Sequence, residues 1–165
     1  MYAFKTKFGN FDLTMVKNLF INSDKNICLD KREIHTLVSK LKEYLNFTIQ
    51  SLPINFVDTK TILSINKKYL NHKNSTDIIT FNYSGDLKNF DGEVFISYND
   101  GFENAKKFNC SANSEMARLV IHGILHLLGF DDKEKKDKII MKKLENELVS
   151  MYSMILKKEI HLYDG

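Results

Sequence analysis

The sequence has one proline, Pro53, and two cysteines, Cys28 and Cys110. The cysteines have neither C-x-x-C spacing nor secretory context, which excludes a disulfide framework and predicts two reduced thiols. No apolar run approaches the roughly 18–20 residues that cross a bilayer. The opening MYAFKTKFGNF lacks the long apolar core of a signal peptide, so a cytoplasmic protein with no membrane partner is expected. The seven glycines are scattered, so no flexible linker is visible, and no internal repeat interrupts the chain. The formal charge surplus of +3 is too small to mark a nucleic-acid partner, although a local basic patch remains open. A length of 165 residues, 43% of them hydrophobic and 27% charged, fits one globular domain spanning 1–165.

Periodicity then orders the elements. Residues 2–8 alternate weakly, as a short first strand would. Asp30 is a good N-cap for a helix carrying Ile34, Leu37, Val38, Leu41 and Leu45 on one face. Pro53 is expected to begin the strand INFV, because proline is tolerated at a strand's first residue. Asp58 or Thr59 caps a second helix, TKTILSINKKYL, and DIITFNY and EVFISY read as an antiparallel pair joined by SGDLKNFDG. Further helices are expected from Asn99 or Asp100, from Ser111 or Asn113, and from shortly after Asp132 to beyond Leu148. In the last, Ile140, Leu144 and Leu148 recur at helical spacing and lysines line a wet face. The order predicts an α+β fold with a small mixed sheet and about five helices.

The stretch HGILHLLGFDD, residues 122–132, carries the chemistry. Residues four apart on a helix differ by about 40° in rotation and about 6 Å in rise, so His122 and His126 project from one face, near enough to share an ion. Arg118 and Glu115 continue that stripe backwards, and the other faces are apolar, which marks a buried helix. A polar stripe in a core requires partners, and a metal ion satisfies it. Gly129 is placed to end the helix in the left-handed conformation and fold the chain back. Asp132 then approaches the histidines, with Asp131 as the competing carboxylate. The pattern H-x-x-x-H-x-x-G-x-x-D shares the geometry of the metzincin zinc motif, and three ligands with an open position mark a catalytic zinc site. A protease of the H-E-x-x-H type needs a glutamate base after the first histidine; here that position is Gly123, which argues against a peptidase.

HGILHLLGFDD resembles the HGxLHLxGYDH signature of the YbeY-type endoribonucleases. INKKYLNHKNSTDIITF (65–81), DGEVFIS (91–97) and MKKLENEL (141–148) resemble, in order, that family's LNxxYRxKDxPTDVLSF segment, its GDIxIS strand and its Met- and Glu-containing last helix. The resemblance implies one Zn²⁺ per chain, held by His122, His126 and, where the family usually has histidine, Asp132. It also implies a phosphodiester hydrolase acting on the 16S rRNA precursor and the small ribosomal subunit, with no catalytic group identified beyond a metal-activated water. A carboxylate ligand cancels one unit of the ion's charge and is expected to make that water less acidic. The family's arginine after the tyrosine is replaced by Leu70, which cannot contact phosphate. Arg118, His72 and Lys73 are the candidates for its RNA-binding role, while Thr76 and Asp77 read as a turn and strand-entry device. A different zinc hydrolase, or a non-catalytic ribosome-associated factor with structural zinc, are the alternatives.

Overall fold

The computed structural model describes residues 15–72 and 75–163, so the strand expected at 2–8 lies outside the described residues. In chain order these residues form β1 (Leu19–Ser23), β2 (Ile27–Cys28), α1 (Lys31–Leu45), β3 (Thr48–Val57), α2 (Thr59–Leu70), β4 (Ile78–Asn82) and β5 (Asn89–Ser97). Next come α3 (Tyr98–Lys107), α4 (Ala112–Leu127), α5 (Lys135–Tyr152), a 3₁₀ turn (Ser153–Ile155) and β6 (His161–Leu162). Strands β1, β3 and β5 run parallel, and β4 pairs antiparallel to β5 at the edge, giving the order β1-β3-β5-β4. The small β2–β6 pair stands apart. This is the mixed-sheet α+β architecture expected from the element order.

The differences have local causes. β1 is a five-residue strand whose buried Leu19 and Ile21 alternate with exposed Phe20 and Asn22, a pattern too short to recognise alone. β3 starts at Thr48, so Pro53 lies within it rather than at its first residue. The β5 ladder tolerates this: its register shifts between Ile49 and Ser51, and pairing then skips from Ser51–Asp91 to Ile54–Val94. A proline has no N–H to give to such a ladder and belongs where pairing lapses. β5 likewise starts at Asn89, inside the segment read as a turn, because Asn89 and Phe90 pair with Thr48 and Ile49. The helix after it begins at Tyr98, capped by Ser97 rather than Asn99 or Asp100.

One sheet face carries the core. Leu52, Ile54, Phe56, Phe90, Val94 and Ile96 pack with Leu37, Val38 and Leu41 of α1 and Ile121, Ile124 and Leu125 of α4. Successive strand residues face opposite ways; Thr80 therefore points towards α4, while Phe81 points away and meets Tyr69 of α2 with ring centroids 5.9 Å apart.

The chain end is tied to α1. Asp30 caps that helix, its Oδ1 accepting from Arg32 N–H at 2.9 Å, and also pairs with Lys158, while Glu33 accepts from the Lys157 and Lys158 amides. The Lys158 hydrogen bond, only partly opposed by burial, lowers the Asp30 carboxyl to about 2. A carboxyl lowered on folding stabilises above its ordinary pKa near 3.8 and loses that contribution as pH falls through about 2. Asp30→Ala is expected to cost about 0.5–2 kcal/mol at neutral pH, with the gap to the parent closing between pH 4 and pH 2. Urea titrations across that range check it.

Candidate metal centre

Helix α4 carries the site because both of its ends are specified. Ser111 caps it, accepting from Ser114 N–H at 3.0 Å, and Gly129 stops it with φ +95°. Gly129 N–H donates to the His126 carbonyl and Phe130 N–H to the Leu125 carbonyl, both at 3.0 Å. Those two bonds form the Schellman arrangement, which needs a left-handed residue at this point. They turn the chain so that the Phe130 carbonyl accepts from His126 Nδ1 at 3.0 Å and Asp132 returns to the histidines. Gly129→Ala and Gly85→Ala (φ +72°, with open space for a Cβ) should each cost about 1–2 kcal/mol from left-handed strain. Only the first should also weaken metal binding, a distinction that a metal titration on both variants reads directly.

The side chains converge on one point. His122 Nδ1 lies 2.7 Å from Glu145 Oε1, and the Nε2 atoms of His122 and His126 face each other at 3.0 Å. Asp132 Oδ2 is 3.9 Å from the first and 3.7 Å from the second. One donor atom from each residue lies within 4.8 Å of the others, a set that one ion can touch. Asp131 instead accepts from the Asp132 and Lys133 backbone amides, at 2.7 and 3.2 Å, and so shapes the turn. The structure therefore brings Asp132 to the histidines.

Proton placement shows why this set suits a cation. Carboxylate and carbonyl oxygens only accept, so both Nδ1 atoms must donate. In neutral rings both Nε2 atoms then present lone pairs to each other, a repulsive contact that a cation between them relieves. Burial first, and the neighbouring His122 second, hold the His126 imidazole below its ordinary range, favouring the neutral form that ligates metals.

Glu145 of α5 was not among the residues singled out from the sequence. It is buried at 3% exposure and joins His122 to Arg118 Nη1 and Lys142 Nζ, both 2.9 Å from its Oε2. Burial alone would raise this carboxyl, but the hydrogen bonds from His122 and Lys142 prevail and hold it at about 2. Such a carboxylate fixes the ring and tautomer of a metal-ligating histidine. The helix face differs accordingly from the one expected: α5 buries Met141, Glu145 and Leu148, while Ile140 is 49% exposed. A glutamate in line with Met141 and Leu148 was the available sign.

A cavity of about 400 Å³ opens beside His122 and Asp132, lined also by Asp77, Asn104, Glu115, Arg118, Lys138 and Lys142. Of the three basic candidates, Arg118 lines this cavity but is tied to Glu145, Asn146 and, at 3.7 Å, Glu115. His72 lines a different recess together with Leu70, and Lys73 lies outside the described residues. Thr76 donates to the Ile78 carbonyl and the Asp77 carbonyl accepts from Ser97 N–H, as a strand-entry device should. The Asp77 carboxylate additionally accepts from Asn104 and faces the cavity. Gly123 is pressed onto the sheet: a Cβ there would meet Ile78 Cδ1 at 3.0 Å and Val94 Cγ1 at 3.1 Å. Its lack of a side chain thus also suits the tight packing against these two side chains.

Comparison with known proteins gives consistent results. The family described as Endoribonuclease YbeY matches residues 19–153. An Endoribonuclease YbeY of Karelsulcia muelleri is 40% identical over 126 residues, covering 76% of this chain and 83% of that protein. One of Bacteroides thetaiotaomicron is 35% identical over 124 residues, covering 74% and 89% respectively. The solution structure of TM1509 from Thermotoga maritima superposes with a TM-score of 0.54 at 24% identity, covering 82% of this chain and 92% of that one, a likeness of fold.

Proposed function

Because the chain belongs to the YbeY endoribonuclease family, we propose that it is a zinc-dependent endoribonuclease. It acts as one domain in the cytoplasm, cleaving phosphodiester bonds of the 16S rRNA precursor in small-subunit maturation and ribosome quality control. The observation that carries the metal reading is the pair of imidazole Nε2 atoms facing each other at 3.0 Å, with both Nδ1 atoms committed to oxygen acceptors.

His122, His126 and Asp132 would hold the ion, which when bound supplies Lewis-acid chemistry to phosphodiester hydrolysis. Glu145 holds the His122 ring by its Nδ1, and the Phe130 carbonyl holds His126. Arg118 braces Glu145, and the 25% of its side chain left exposed at the cavity keeps it a candidate RNA contact from that fixed position. His72 and Lys73 are candidates for contacts to flanking RNA.

Purified protein should carry about one zinc per chain, the stoichiometry of a three-ligand site, and His122→Ala should lose it. Metal analysis finding none in chelator-free wild-type protein would refute the site. Leu70, in place of the family's arginine, favours one competing reading: a ribosome-associated factor with structural zinc. Cleavage of rRNA by wild type, lost in His126→Ala while circular dichroism shows an unchanged fold, rules that reading out. Unfolding on zinc loss, with no cleavage in any preparation, supports it.

A further inference from the structure

Neither Leu70 nor Arg118 leaves the metal cavity with an unengaged cation, and RNA brings a negative charge with every phosphate. We propose that Lys138 of α5 supplies that cation and positions an RNA backbone phosphate beside the metal centre. This rests on the endoribonuclease reading above.

Three observations carry the assignment. Lys138, Met141, Lys142 and Glu145 recur at i, i+3, i+4 and i+7, one helical face, and all four line the cavity that holds His122 and Asp132. The bond from Glu145 to His122 Nδ1, at 2.7 Å, fixes the rotation of α5, so this face cannot turn elsewhere without releasing the histidine. The other two cavity cations are already engaged: Arg118 and Lys142 each lie 2.9 Å from the Glu145 carboxylate. Among the described residues Lys138 has no ion pair, and its side chain is exposed at the cavity. A flexible ammonium of this kind neutralises phosphate as a point charge, which positions RNA without reading its sequence.

Lys143 provides the comparison. It is an exposed lysine on the same helix, it does not line the cavity, and its loss changes the net charge by the same amount. Binding of a phosphorothioate-linked single-stranded RNA oligonucleotide, which resists cleavage, is measured by fluorescence anisotropy on metal-loaded protein across a salt series. For Lys138→Ala, affinity should fall roughly three- to ten-fold for every sequence tested, and the salt slope should shrink by about 0.7. Lys138→Arg should restore both, and Lys143→Ala should match wild type. In cleavage assays of metal-loaded protein, Lys138→Ala should raise KM more than it lowers kcat. Equal behaviour of Lys138→Ala and Lys143→Ala overturns the assignment while leaving the nuclease reading intact. Failure of wild-type protein to bind RNA overturns both.

Discussion

Glu145→Ala is expected to weaken metal binding about 10–100-fold although Glu145 is not itself one of the three proposed ligands. Its carboxylate is the acceptor for His122 Nδ1–H, and without it the imidazole is free to rotate and to exchange tautomers. The same substitution releases Arg118 and Lys142 from their shared partner. These side chains are 25% and 58% exposed, so water takes over part of their solvation, and the stability cost should stay near 1–3 kcal/mol. Glu145→Gln separates the two effects. Its amide oxygen can still accept from His122, so metal affinity should fall less than in the alanine variant, while the ion pairs are lost completely. Zinc competition titrations alongside urea unfolding test this, and wild-type zinc affinity in Glu145→Ala would show that Glu145 does not orient the ligand.

Restoring the glutamate of a zinc peptidase, by Gly123→Glu, should abolish stable folding rather than create a protease. The position faces Ile78, Val94 and Thr80 of the sheet, where a Cβ alone would meet the first at 3.0 Å and the second at 3.1 Å. A carboxylate inserted there is forced among these side chains at a buried position. An unpaired buried charge of this kind costs about 3–5 kcal/mol, a large share of the roughly 5–15 kcal/mol that holds a domain together. Displacement of the helix would also move His122, its immediate neighbour. The measurements are the urea midpoint, zinc content and cleavage of a casein substrate; a variant of wild-type stability that cleaves casein would be fatal to this account of Gly123.

Much of the site was legible before any tertiary contact was known, because its information is local. The spacing of His122 and His126 places both rings on one helix face whatever the helix packs against. Gly129 takes a left-handed conformation at the helix end, and the turn it forms depends on residues within five positions. The caps at Asp30, Asp58 and Ser111 follow from side chains that bond to amides two or three residues ahead. The strand pair β4–β5 was legible for a similar reason, since its two strands are joined by a short connection.

What tertiary structure decided involves partners far apart in the chain. Pro53 is expected at a strand start because proline is tolerated there; only the lapse in pairing with β5, while Pro53 stays in register with Phe20 of β1, shows how a strand interior accommodates it. On α5 the expected Leu148 is fully buried and Leu144 packs on the core, but Met141 and Glu145 are buried where Ile140 is exposed, because hydrophobic spacing alone cannot tell that a glutamate is drawn inward by a histidine 23 positions away. Asp131 and Asp132 are chemically alike and adjacent, so their choice depended on where the returning loop points each carboxylate. Lys138 became distinctive only when Arg118 and Lys142 were found sharing one buried acid. By itself the sequence determined the helix, its two histidines and the glycine that turns the chain, since these follow from bonds between near neighbours. The folded structure decided which acid lies nearest them, which acid braces them and which cavity lysine has no ion pair among the described residues, since these depend on contacts that exist only once α4 and α5 pack together.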